Sequence, residues 1–114
     1  MNEVKITIIT PSYNRAHTLP RVYDSLNNQT FKDFKWIIID DGSTDNTKEI
    51  VEHFKPEGLI DIEYFWNENQ HKFITVFEGI KKVTSSYFMI VDSDDSYPID
   101  SLQLLFDEVE QLQN

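Results

Sequence analysis

Three carboxylates stand within four residues in Asp92-Ser93-Asp94-Asp95. Their mutual repulsion is relieved by a hard divalent cation, Mn²⁺ or Mg²⁺, which accepts carboxylate and water oxygens and leaves coordination positions for a diphosphate. A solvated turn capping the next helix is the competing reading. A second acidic pair, Asp40-Asp41, leads into Gly42-Ser43-Thr44-Asp45. One of its carboxylates could face a crevice and accept the ring N–H of uracil or guanine, although capping alone would account for the pattern. Pro11-Ser12-Tyr13-Asn14-Arg15 offers a rigid proline, an aromatic plane for a base and a guanidinium for phosphate. Lys72 could reach a phosphate or be solvated. His17, His53 and His71 share no metal-ligand spacing, and the chain has neither a Gly-rich dinucleotide fingerprint nor a P-loop lysine.

These segments need a scaffold that brings them together. Val4-Lys5-Ile6-Thr7-Ile8-Ile9 reads as a buried strand, and Trp36-Ile37-Ile38-Ile39 as a second one covered on both faces. Ile60 to Trp66 reads as a third strand. Tyr87-Phe88-Met89-Ile90-Val91 reads as a fourth, central strand. Between and after them lie amphipathic helices. Leu19, Val22, Tyr23 and Leu26 mark the first, with Thr18 as its N-cap, and Ile50, Val51 and Phe54 the second. Phe73, Val76, Phe77, Ile80 and Val83 mark the third; Leu102, Leu105, Phe106, Val109 and Leu112 mark the last. Strand and helix alternate four times, which predicts an α/β fold with a mainly parallel sheet flanked by helices. Ligands of such sheets bind beyond the carboxyl ends of the strands, where the polar segments after the first, second and fourth strands should converge.

The totals agree with one compact unit, residues 1–114. The chain is 39% hydrophobic, and its 20 acidic against 10 basic residues give a formal charge of -10. That balance argues against a nucleic-acid-binding face but allows a phosphorylated ligand held through a cation. No cysteine is present, so disulfides, thiolate metal sites and a cysteine nucleophile are excluded. No stretch approaches the ~20 apolar residues of a membrane span, and the N-terminus lacks signal-peptide features. The expected location is cytoplasmic.

The ordered set Ile6-Thr7-Ile8-Ile9-Thr10-Pro11-Ser12-Tyr13-Asn14-Arg15, Leu26-Asn27-Asn28-Gln29-Thr30-Phe31, Ile37-Ile38-Ile39-Asp40-Asp41-Gly42-Ser43-Thr44-Asp45 and Phe88-Met89-Ile90-Val91-Asp92-Ser93-Asp94-Asp95 resembles the family-2 glycosyltransferases of the GT-A fold. The resemblance implies a Rossmann-like half-domain binding a nucleotide-diphosphate sugar, a UDP-sugar by preference. It implies that Pro11 and Tyr13 line the base pocket and that Asp41 accepts the base N–H. Arg15, Lys72, Asp92 and Asp94 then lie near the nucleotide, and Asp94 and Asp95 form the metal site. The chain departs from many relatives at Asn69-Gln70-His71-Lys72 and at Phe77, where they carry Asn; Gly79 is retained.

By the same resemblance, transfer is inverting, to a saccharide or lipid-linked acceptor, in polysaccharide biosynthesis. The acceptor site and catalytic base then lie after this segment, in a longer enzyme at the inner face of a membrane. This chain alone should bind donor and transfer nothing. A nucleotidyltransferase would show a Gly-rich loop near the first strand, and a receiver-like signalling domain would pair its acids there. A non-catalytic nucleotide-sugar-binding module is the other alternative.

Overall fold

In the computed structural model, residues 4–58, 60–68, 72–94 and 97–112 are described, without the side chains of Lys72 and Phe73. Four strands, β1 (Ile6–Ser12), β2 (Phe34–Asp41), β3 (Asp61–Asn67) and β4 (Tyr87–Ile90), alternate with four helices. These are α1 (Leu19–Asn27), α2 (Thr47–Phe54), α3 (Lys72–Ile80) and α4 (Ser101–Leu112). All pairings are parallel, in the order β3-β2-β1-β4. This is the expected α/β architecture.

Every residue of β1 is buried, and in β2 all but Lys35 are. On one face of the sheet Ile8, Trp36 and Ile38 pack with Leu19, Val22 and Leu26 of α1, Val51 and Phe54 of α2, and Leu102 of α4. Tyr23 stacks on Phe54 at 4.1 Å between ring centroids, and the Trp36 indole N–H donates to Thr10 Oγ1 at 2.8 Å. The other face carries Ile9, Ile37 and Ile39 under Ile80 and Val83. Complete burial of such side chains contributes about 1.5–3 kcal/mol each, so the two central strands are the rigid base of anything mounted on their ends.

Three expectations are corrected. β4 lies at the edge of the sheet among the described strands, with Phe88 46% and Ile90 36% exposed. Its expected place was central, whereas among the described strands it pairs with β1 alone and only Tyr87 and Met89 face the main core. The stripe assigned to the third helix holds only in part: Ile80 and Val83 pack on the sheet, but Phe77 is exposed, and Thr75 and Gly79 are the buried positions among the described side chains. A Cβ on Gly79 would meet Ile9 Cγ2 at 2.6 Å, so the absent side chain lets α3 lie on the sheet. Of the last helix's stripe only Leu102 is buried, while Leu105 and Leu112 are exposed. Thr18 does stand at the N-cap position of α1, but its hydroxyl makes no cap bond to the helix.

Candidate functional site

The order β3-β2-β1-β4 places the switch in winding direction between β1 and β4, where a crevice opens beyond the strand ends. A cleft of about 270 Å³ occupies that place. The segment ending β1 contributes Pro11, Ser12, Tyr13 and Arg15, β2 contributes Asp41, and the turn after β4 contributes Asp92, Ser93 and Asp94. Pro11, Tyr13, Arg15, Asp41, Asp92 and Asp94, singled out in the sequence, are therefore brought together. Asp95 and the side chain of Lys72 lie outside the described residues, as does His71. His17 and His53 are exposed and do not line the cleft.

Adjacent residues of a strand project to opposite faces, and this separates the two acids of β2. Asp40 is fully buried; its Oδ1 accepts the N–H of Ser43 at 2.9 Å and its Oδ2 accepts the hydroxyl of Tyr64. Burial, and then the hydrogen bond to Asp40, pushes the Tyr64 phenol far up and keeps it neutral. Asp41 reaches the cleft instead. Gly42, at φ 83°, occupies the left-handed region that the turn between them and α2 requires.

A clasp joins the first two loops. Asn14 takes a left-handed backbone, φ 53°, and its Oδ1 accepts the N–H groups of Thr44 at 2.8 Å and Asp45 at 3.2 Å. Its own N–H donates to Ser43 Oγ at 2.7 Å. Asp45 returns the link, accepting the Ala16 N–H at 3.2 Å and the Thr47 N–H at 3.0 Å. Burial works against ionisation of Asp45, but the bonds from the Thr47 hydroxyl and these N–H groups hold its carboxyl below the ordinary value. Tyr13 and the strand end at Asp41 thus adjoin two loops that are tied together.

The acidic turn is held from α1. Thr18 Oγ1 donates to the Ser93 carbonyl at 2.6 Å, and Arg21 Nη2 to the Asp94 carbonyl at 2.5 Å. Gln29 is a buried staple: its amide donates to the Pro98 carbonyl at 2.7 Å, and its Oε1 accepts the Leu102 N–H at 3.0 Å. The sequence segment around Gln29 therefore has a task that its composition did not show. It fixes the chain that leaves the acidic turn.

Inside the cleft one polar atom is unmatched. Ser12 is 4% exposed, and its Oγ is buried with no partner among the described residues. A buried hydroxyl without a partner costs about 1–3 kcal/mol, and such groups in native proteins require a reason. Thr75, 2% exposed, enters the lining from α3. Neither was singled out in the sequence, because Ser and Thr are common in loops and helix flanks. Three carboxylates, Asp41, Asp92 and Asp94, and one guanidinium, Arg15, line the cleft. Among the described residues no three Asp, Glu or His side chains form a group able to enclose a metal ion by themselves. The donor set suits a cation held by one or two carboxylates and completed by water and ligand oxygens.

A model of Glycosyl transferase family 2 matches residues 7–114. The chain is 33% identical over 109 residues to the glycosyltransferase GlyA of Streptococcus pneumoniae, which covers 96% of this chain and 16% of that protein. It is 29% identical over 109 residues to the GalNAc(5)-diNAcBac-PP-undecaprenol beta-1,3-glucosyltransferase of Campylobacter jejuni, covering 94% and 35%. The crystal structure of residues 1–349 of S. aureus TarS in complex with UDP superposes with a TM-score of 0.86 at 25% identity, covering 94% of this chain and 32% of that one. The chain thus spans well under two-thirds of the length of these relatives. Its parallel sheet, its loop segments and the match over nearly its whole length lead to one conclusion: the chain belongs to glycosyl transferase family 2.

Proposed function

We propose that residues 1–114 form the donor-binding unit of a longer enzyme that transfers a sugar from a UDP-sugar to an acceptor hydroxyl, with inversion at the anomeric carbon. The observation that carries this reading is the cleft at the β1/β4 switch, where Asp41, the orphan Ser12 hydroxyl and the carboxylates of the acidic turn meet. The UDP complex of TarS supports the choice of nucleotide.

In this reading Pro11 and Tyr13 form the wall for the base, and Asp41 accepts the ring N–H of uracil. The Ser12 hydroxyl donates to or accepts from the nucleotide, and Arg15 and Lys72 meet phosphate. Asp92 structures the turn and approaches the ribose. Asp94 with Asp95 would hold Mn²⁺ or Mg²⁺, which supplies charge neutralisation for the departing diphosphate. The acceptor oxygen bonds to the anomeric carbon as the bond to the diphosphate oxygen breaks, and that electron pair leaves with UDP. The acceptor proton passes to a base that no residue of this chain is assigned to be.

The protein's part here is positioning. The Asn14 clasp and the Thr18 and Arg21 bonds set the base wall and the acidic turn before the ligand arrives, which lowers the ordering cost of binding. A saccharide or lipid-linked acceptor fits the name of the C. jejuni relative. No helix among the described residues is long and apolar enough to cross a membrane. Titration calorimetry with UDP, CDP and ADP in the presence of Mn²⁺ tests the nucleotide reading. UDP should bind tightest and lose its lead in Asp41→Asn; equal affinities in the unaltered chain would overturn it.

A further inference from the structure

A second groove, of about 480 Å³, lies on the other side of the turn after β2, where Asp40 rather than Asp41 projects. Tyr64 and Trp66, two residues apart on β3, share that face. Trp66 is 51% exposed, and its indole N–H donates to the Ser43 carbonyl at 3.3 Å. The Tyr64 hydroxyl is tied to Asp40. The same groove is lined by Asn46, Lys48 and Glu49, whose side chains have no hydrogen-bond or ion-pair partner among the described residues. The groove thus joins a fixed flat surface to a set of uncommitted donors and acceptors.

The chemistry of that combination narrows the ligand. Asp40, Asp45 and Glu49 outweigh Lys48, so a second phosphorylated ligand would meet a repulsive field. A pyranose presents partly positive C–H groups that lie well on the electron-rich face of an indole. Its rim of hydroxyls can donate to a carboxylate and accept from an ammonium or amide at the same time. Because the indole is already held, little side-chain freedom remains to be lost on stacking. We propose that this groove is a saccharide-binding subsite, separate from the nucleotide cleft, that takes pyranose units of a neutral oligosaccharide.

Tryptophan emission provides a local readout, since the chain has two tryptophans and Trp36 is fully buried. The protein is titrated with maltotriose, cellotriose and chitotriose into the tens of millimolar, with choline chloride and UDP–Mn²⁺ as separate arms. The expected result is a saturable change in emission with at least one trisaccharide, undiminished by saturating UDP–Mn²⁺. By calorimetry that binding should be lost in Trp66→Ala, partly retained in Trp66→Phe and weakened in Glu49→Ala, with UDP binding retained in all three. No saturable change with any trisaccharide would overturn the proposal. So would a response to choline alone, which would mark a cation site, or displacement of the trisaccharide by UDP, which would merge the two sites.

Discussion

Replacing Ser12 by alanine deletes one hydroxyl and little else. The side chain is 4% exposed, and its oxygen has no partner among the described residues. In the ligand-free protein the deletion therefore removes an unmatched polar group and adds almost no cavity. Of the ~1–3 kcal/mol that such burial costs, recovering even about 1 kcal/mol would raise Tm by roughly 4 °C for a domain of this size. Nucleotide binding should respond in the opposite sense. Loss of one hydrogen bond of about 0.5–1.5 kcal/mol raises Kd for UDP roughly 2- to 10-fold. Thermal unfolding without ligand and calorimetry with UDP–Mn²⁺ measure the two effects on the same preparation. A fall in Tm with Kd unchanged would refute the reasoning, because it would show that the hydroxyl serves the fold and not the ligand.

Gly79→Ala should destabilise by about 1–3 kcal/mol and weaken UDP binding in parallel, since a methyl 2.6 Å from Ile9 Cγ2 pushes α3 and its Thr75 off the sheet; thermal unfolding and calorimetry check both. Asp94→Asn should reduce Mn²⁺-supported UDP affinity about tenfold or more, the loss expected of a charge-assisted contact of about 1.5–3 kcal/mol, while binding in EDTA stays unchanged. Asp45 gives a pH signature. Its folded carboxyl is held below the ordinary value, so its contribution is complete above about pH 4 and is lost as pH falls through the folded value. The difference in Tm between the unaltered chain and Asp45→Asn should accordingly shrink on acidification below about pH 4.

Much of the fold was written locally. Trp36-Ile37-Ile38-Ile39 is apolar without interruption, one indole followed by three β-branched side chains, and such a run has few stable places other than the middle of a covered sheet. The alternation of four such runs with helical stripes then leaves a parallel α/β arrangement, and the polar segments at the strand ends follow from it. Six of the candidate residues, Pro11, Tyr13, Arg15, Asp41, Asp92 and Asp94, line one cleft, as their place at strand ends led one to expect. Tertiary structure alone decided the rest. Why Asp41 and not Asp40 faces the cleft is seen only in the packed sheet, where Tyr64 of β3 claims Asp40 on the opposite face. The roles of Asn14, Thr18 and Gln29 depend on partners 29 to 75 positions away, and the unmatched hydroxyl of Ser12 on every neighbour that failed to reach it. Periodicity reports which face of an element is apolar, but it carries no information about which distant group will stand within hydrogen-bond distance once those faces are packed.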